Sequence, residues 1–156
     1  MKTIIVYATK HGAAGILAQR IAEKMKGAVV CNLEKDNVNL DEYECVIIGS
    51  SVYAGRARKQ TKEFISKNME NLLKKKVGLF LSCLETVNEK TYFESNYPPE
   101  ILQAAKAKCS PGGIFDPKKA GAIERLIIKI IKKKVNYIDT IDNIKIDQFV
   151  KALNEK

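Results

Sequence analysis

Hydrophobic positions along the chain alternate between two spacings, one typical of buried strands and one typical of amphipathic helices. Residues 4–7 are apolar or aromatic and predict a buried β-strand. From Ala14 the apolar residues fall at helical spacing, which predicts a helix that Gly27 ends. Residues 8–15 are small or polar and contain two glycines, so we expect the chain to turn there. A strand, a tight turn and a helix N-terminus gather unpaired backbone N–H groups, which attract an anion, most often a phosphate.

The same strand pattern recurs along the rest of the chain. Four further strands are predicted, the last with an irregular start because proline and glycine interrupt it, at residues 28–33, 43–48, 77–81 and 109–115.

Helices are predicted between these strands and after them. They cover the apolar positions from Phe64 to Leu73, a segment from Glu100 to about Lys108, a segment from Ile123 and a final helix at 147–154. Residues 49–55 and 85–97 are predicted to be loops. The alternation predicts an α/β fold with a parallel sheet covered by helices on both faces.

Right-handed crossovers in such a sheet bring the loops after the first, third and fourth strands to its carboxyl edge. These loops are rich in glycine, serine and other small residues. Lys10 and His11 in the first loop add cationic groups suited to a phosphate. Tyr53 in the second loop offers a ring that stacks on a flat ligand, or else is a half-buried surface tyrosine. Together the loops predict a crevice for a phosphorylated aromatic ligand.

The helix that begins at Ile123 has two stripes. One is apolar and the other is basic, the latter formed by Arg125, Lys129, Lys132 and Lys133. One interpretation is a helix that packs its apolar stripe on the core and exposes a basic back. The other is a docking surface for anionic lipid, in which a quinone acceptor would be found.

Composition limits the class of protein. The 156 residues are 46% hydrophobic, which predicts a single domain with one well-packed core. No apolar run approaches the roughly 20 residues that span a bilayer, and no signal-peptide pattern opens the sequence, so we expect a cytoplasmic protein. The net charge of +9 favours an anionic partner: a membrane surface, nucleic acid or an acidic protein.

The four cysteines are widely spaced and the chain has one histidine, so no zinc or iron–sulfur site is expected. Cys31 and Cys45 lie in apolar runs and are interpreted as small core residues. Cys83 and Cys109 lie at strand edges and are expected to be more exposed.

Two segments resemble known motifs of one family. Residues 7–14 resemble the phosphate loop of flavodoxins, and residues 49–55 resemble the flavodoxin loop that flanks the flavin ring. Residues 112–117 and 124–129 are similar to the branch that contains the menaquinone-dependent protoporphyrinogen dehydrogenase. The resemblance covers nearly the whole chain. It implies a doubly wound, five-stranded parallel sheet of order 2-1-3-4-5, with FMN as the cofactor.

The resemblance also implies the residues of an FMN site. The phosphate would be surrounded by Thr9, Lys10, His11, Gly12, Ala13 and Ala14. One side of the isoalloxazine would be bordered by Ser51, Val52, Tyr53, Ala54 and Gly55, and the other by Ser82, Cys83 and Leu84. No metal ligand is implied, and no side chain is assigned as a catalytic acid or base.

The sequence departs from flavodoxins in two respects. Ala13 and Ala14 stand where the family usually has polar residues, so we expect weaker FMN binding. The chain is also basic, whereas electron-carrier flavodoxins are acidic, and this disfavours a soluble carrier with basic partners.

Three functional hypotheses remain. The leading one is an FMN-dependent oxidoreductase that passes electrons from an organic substrate to a quinone, with protoporphyrinogen as the substrate on resemblance alone. This protein would contact the inner face of an anionic membrane through Ile123–Lys134. The alternative is a flavodoxin-type electron-transfer protein that relays electrons to a redox partner without a substrate of its own. The third, a flavin-free scaffold for nucleic acid, has little support because no aromatic residues are interleaved along the basic helix.

Overall fold

The computed structural model describes residues 1–133 and 136–155, and a parallel sheet forms its centre. The strands are β1 (Thr3–Ala8), β2 (Val29–Asn32), β3 (Cys45–Tyr53), β4 (Arg56–Ala57), β5 (Lys76–Ser82), β6 (Ala105–Gly112), β7 (Ile114–Phe115) and β8 (Ile138–Asp139). The helices are α1 (Ala13–Lys24), α2 (Lys59–Leu72), α3 (Glu89–Asn96), α4 (Pro99–Ala104), α5 (Ala122–Lys132) and α6 (Asn143–Asn154).

The central sheet has the order β2-β1-β3-β5-β6, and all four neighbouring pairs are parallel. Counted along the chain, the five parallel strands have the order 2-1-3-4-5. The predicted α/β fold and strand order are therefore confirmed. The carboxyl ends of β1, β3 and β5 lie side by side, with Ala8 paired to Ser50 and Ser51 paired to Ser82.

The period of two along β1 divides the core between the two faces of the sheet. Ile4 and Val6 pack with α2, α3 and α4 on one face, whereas Ile5 packs with α1 and α6 on the other. All three side chains are essentially inaccessible to solvent. Continuous apolar strands buried on both faces are what a parallel sheet between two helical layers requires.

The second predicted loop is wrong over most of its length, because β3 continues to Tyr53. Ser50 and Ser51 pair with β5, and Val52 and Tyr53 pair with β4 in a short antiparallel hairpin. The chain turns at 54–55, where Ala54 and Gly55 both have positive φ. The small residues at 49–51 therefore belong to the strand and not to a loop.

Residues 85–112 also differ from the prediction. The predicted loop 85–97 contains α3, and the predicted helix through Lys108 ends at Ala104. Lys106 and Lys108 alternate with the less exposed Ala107 and Cys109, as in an edge strand, and β6 pairs with β5. Pro111 is tolerated in this strand because its second side has no strand partner in the described sheet.

The last two helices differ from the prediction, α6 in where it begins and α5 in which face is exposed. The final helix begins at Asn143, because the Asp142 carboxylate accepts hydrogen bonds from the Ile144 and Lys145 amides. The expectation that α5 packs its apolar stripe on the core is wrong. The apolar side chains of this stripe are 45–73% exposed, namely Ile123, Leu126, Ile127, Ile130 and Ile131. Lys134, the predicted end of this helix, lies outside the described residues.

The cysteines are free thiols. Cys45 is buried as expected, whereas Cys31 is half-buried at the edge of the core. Cys109, expected to be exposed, is buried because β6 turns it towards α6. Across the described part of the chain, no helix combines the length and apolar character needed to cross a membrane.

Candidate ligand-binding crevice

A cavity of about 330 Å³ opens at the carboxyl ends of β1, β3 and β5. This is the switch point of a doubly wound sheet, where ligands of such folds bind. Ten of the 14 predicted site residues line it: Lys10, His11, Ala13, Ser51, Val52, Tyr53, Ala54, Ser82, Cys83 and Leu84. Thr9, Gly12, Ala14 and Gly55 do not line it.

The loop between β1 and α1 forms one end of the crevice. Gly12 has φ +94°, a left-handed conformation that suits glycine, and its amide donates a 3.0 Å hydrogen bond to Thr9 Oγ1. Gly12 is the N-cap of α1 and provides no side-chain acceptor, so the first-turn amides are left for another acceptor. Thr9 thus stabilises the turn of the loop and does not line the crevice. The Ala14 side chain is fully buried in the core, so only its backbone amide is available at the loop.

The opposite wall is the β3–β4 hairpin. The Tyr53 side chain is 41% exposed and its ring faces the Lys10 ammonium, with 3.4 Å between Lys10 Nζ and the ring centroid. The hairpin is fastened from beneath by Asn96, which is buried. Its Oδ1 accepts from the Ala57 amide at 2.8 Å and its Nδ2 donates to Gly55 O at 2.9 Å.

Glu124, near the start of α5, connects that helix to the first loop. Its carboxylate is paired with Lys10 Nζ and lies 2.7 Å from His11 Nε2, and it accepts from the Gly121 amide at 3.1 Å. Burial alone would raise the pKa of Glu124, but these partners outweigh burial and lower the pKa below its ordinary value. Glu124 is therefore a carboxylate at neutral pH.

Ser82 and Cys83 form the wall at the end of β5. Ser82 lines the crevice, and its hydroxyl is buried and bonds to no group of the described residues. Burial raises the pKa of the Cys83 thiol and outweighs a hydrogen bond from the Glu85 backbone, which acts in the opposite direction. The thiol therefore stays protonated at neutral pH and is a poor nucleophile.

The sequence prediction missed seven residues that line the crevice: Glu85, Gly113, Ile114, Phe115, Glu124, Ile127 and Ile128. It also missed Lys119, whose Nζ would lie 3.5 Å from a Cβ placed on Gly12. Most of the seven fall in the segments 112–117 and 124–129, whose resemblance to known motifs is the sequence signal for them. That signal does not place the segments at the site, because the strand pattern does not predict the course of the chain after β6.

Among the described residues no cluster of histidine, cysteine or carboxylate side chains is arranged to hold a metal ion. The fold and the crevice together define a doubly wound α/β protein with a glycine-containing loop and a helix N-terminus at its switch point and an aromatic ring beside them. The profile of the family described as "Flavodoxin domain" matches residues 4–140. The chain belongs to this family.

Solved structures share the fold of this chain. The WrbA-like flavodoxin of Agrobacterium tumefaciens is 19% identical over 71% of this chain and 81% of its own, with a TM-score of 0.56. Oxidised flavodoxin 1 from Bacillus cereus is 12% identical over 98% and 95%, with a TM-score of 0.55. A flavoprotein from Lactobacillus acidophilus, solved in complex with FMN, is 16% identical over 71% and 90%, with a TM-score of 0.51. The search of curated proteins found no match.

Proposed function

We propose that the chain is an FMN-dependent oxidoreductase and that FMN binds in the crevice at the carboxyl ends of β1, β3 and β5. FMN as the cofactor is supported by the family match and by the Lactobacillus acidophilus flavoprotein, which contains it. The observation that carries the proposal is the pairing, in one cavity, of a cationic helix N-terminus with the Tyr53 ring.

The residues present fit a flavin nucleotide in three respects. The unbonded Ser82 hydroxyl is a buried polar group that a polar ligand atom would satisfy. The N-terminus of α1 offers amides without a side-chain acceptor, and Lys10, His11 and Lys119 surround it with cationic or neutral donors. The cavity volume of about 330 Å³ lies within the range of small-molecule sites, about 300–1,000 Å³.

The first loop would hold the phosphate. The amides of Ala13 and Ala14 and the side chains of Lys10, His11 and Lys119 are the donors available there. Neither alanine supplies a hydroxyl, and a hydrogen bond to a charged group contributes about 1.5–3 kcal/mol. We therefore expect binding about tenfold or more weaker than for a loop with the family's hydroxyl.

The hairpin and the end of β5 would hold the ring system. Tyr53 presents a ring for stacking, and the small side chain of Ala54 leaves room for a ligand at the edge of the crevice. Residues 82–84 form the facing wall. When bound, FMN supplies the electron-transfer chemistry. The protein residues orient the ring and exclude water from it, and none of them is assigned as an acid or base.

The position of α5 supports an electron acceptor that reaches the crevice from a membrane surface. Ile127 lines the crevice and is also 45% exposed, so apolar surface continues from the cavity onto the exposed stripe of α5. Arg125, Lys129 and Lys133 are exposed on the same helix, and the chain carries a net charge of +9. An apolar stripe with basic neighbours suits an anionic lipid surface, where a quinone is dissolved.

The substrate part of the proposal, protoporphyrinogen, depends on the resemblance of residues 112–117 and 124–129 alone. Its assay also separates an enzyme from an electron carrier. With a quinone acceptor, the enzyme accelerates protoporphyrinogen oxidation well above free FMN at equal concentration. A rate no higher than that of free FMN would reject the enzyme and leave an FMN-binding carrier.

Cofactor binding is tested by titrating FMN and following the quenching of its fluorescence. Tyr53→Ala should weaken binding about tenfold, because aromatic stacking contributes about 0.5–1.5 kcal/mol beyond buried area. Tyr137→Ala is the matched control, since Tyr137 is 58% exposed and does not line the crevice. If the unaltered protein binds no FMN at high micromolar concentration, the proposed function is wrong.

Membrane contact is tested by sedimentation with vesicles containing phosphatidylglycerol. Replacing Arg125, Lys129 and Lys133 with glutamine should abolish most of the binding, because each basic residue near an anionic surface contributes about 1 kcal/mol. The control replaces three basic residues of α2, Lys59, Lys62 and Lys67, with glutamine. Equal binding by the two variants would exclude α5 as the contact.

A further inference from the structure

We propose that Glu124 is a latch that holds α5 against the crevice, and that an anionic ligand of the first loop competes with it for Lys10 and His11. The ligand part of this inference rests on the proposed function, because the anion considered is the phosphate of FMN. The latch itself rests on contacts between side chains of this chain.

The first step is that α5 has few other attachments. Among its described side chains only Glu124 and Ile128 are partly buried, while the rest are exposed. The pairs from Glu124 to Lys10 and His11 join residues more than 110 positions apart. Removing this carboxylate therefore leaves Ile127 and Ile128 as the side chains of α5 that line the crevice, and Ile127 is 45% exposed.

The second step is that the partners of Glu124 are the groups a phosphate would use. Lys10 and His11 lie beside the N-terminus of α1, and Lys10 Nζ also lies 3.4 Å from the centroid of the Tyr53 ring. A phosphate at the loop would bind Lys10 and His11, the two side chains that Glu124 now binds. A ring stacked on Tyr53 would compete with Lys10, which Glu124 positions beside Tyr53. A ligand and the latch thus compete for the same two side chains.

The third step is reciprocity. If a bound ligand weakens the latch by some factor, the latch weakens ligand binding by the same factor. Filling the crevice would therefore loosen the attachment of α5. Removal of the carboxylate should tighten FMN binding, whereas loss of a residue that holds the cofactor would weaken it.

The test is hydrogen exchange of α5 amides, read by mass spectrometry, in the full chain. Glu124→Gln removes the charge but keeps an acceptor for the Gly121 amide, so the helix start is preserved. We expect α5 to exchange about tenfold faster in this variant, since hydrogen bonds to charged groups are worth at least that factor. Glu94→Gln, which makes the same charge change in an exposed pair with Lys90, should leave α5 unchanged. Equal exchange in Glu124→Gln and the unaltered protein would overturn the latch.

FMN gives the second readout. Saturating FMN should speed α5 exchange in the unaltered protein and add nothing in Glu124→Gln, and the variant should bind FMN about tenfold more tightly. Weaker FMN binding by Glu124→Gln would overturn the competition. If neither protein binds FMN, the proposed function fails, and the exchange of α5 in the variant still decides the latch.

Discussion

Gly49 shows how one residue fixes the packing beneath the crevice. It lies in β3 beside Phe80 of β5, and a Cβ at this position would overlap the Phe80 ring. Phe80 is fully buried in the core between the sheet and the α1 and α6 layer. Close approach of the ring, and not a turn, is the reason that glycine is needed here.

Gly49→Ala should therefore lower the free energy of unfolding by about 1–3 kcal/mol, as expected for an overpacked core. The urea midpoint measures the change. Gly121→Ala is the control, since a Cβ there meets nothing within 4 Å and its φ of −71° suits alanine. A Gly49→Ala protein with the stability of the control would contradict this account of the ring.

At the scale of an element, the β3–β4 hairpin depends on a residue from a distant helix. Asn96, at the end of α3, bonds the Ala57 amide and the Gly55 carbonyl, and so holds the turn that presents Tyr53. The hairpin is otherwise a two-residue pairing. The aromatic wall of the crevice is thus positioned by α3.

Asn96→Ala should cost about 1–3 kcal/mol of stability, because it leaves the buried Ala57 amide without its partner. It should also weaken FMN binding by allowing the hairpin to move. Urea unfolding and FMN titration measure the two effects, with Asn154→Ala, an exposed residue of α6, as the control. Unchanged FMN affinity together with lost stability would separate the hairpin from cofactor binding.

Elements were predictable where packing and local pattern agree. The spacing of Leu17, Ala18 and Ile21 predicts the buried face of α1, and these side chains are fully buried. The apolar pattern of α5 is at least as regular, yet its stripe is exposed. An amphipathic pattern shows that one face of a helix is apolar, but it does not show which partner covers that face.

The crevice was predictable for a related reason. The first loop, the hairpin and the wall at the end of β5 follow directly from the ends of strands, which topology brings together. The remaining wall, which includes Glu124 and Ile127, comes from a segment beyond β6 that contacts the loop across more than 110 residues of chain. Long-range ion pairs leave no periodic signal in a sequence.

At the scale of the whole molecule, burial of thiols makes stability depend on pH. Burial raises the pKa of Cys31, Cys45, Cys83 and Cys109 above the ordinary thiol value. The folded state therefore retains protons that the unfolded chain loses above about pH 8.5. The stabilisation is fully present below that pH and is lost as the pH rises towards the raised folded-state values.

The free energy of unfolding should fall between pH 7.5 and 9.5, with buried Cys109 contributing about 1 kcal/mol of the change. Urea unfolding at a series of pH values measures it. Cys109→Ala should flatten the pH dependence, whatever its stability at pH 7.5. A dependence as steep as that of the unaltered protein would show that this thiol is not responsible.

The small β7–β8 sheet indicates where a segment of the chain can be deleted. Ile114 pairs with Asp139 and Phe115 with Ile138, so the two ends of the 116–137 segment meet as an antiparallel pair. A two-residue Asn-Gly turn is the natural closure for such a pair. A chain shortened in this way would keep the sheet, the first loop and the hairpin, and would lose α5 together with Lys119 and Ile127, which lie at the crevice. Its lipid binding should be lost, and its FMN affinity would measure how much this segment adds to the cofactor site.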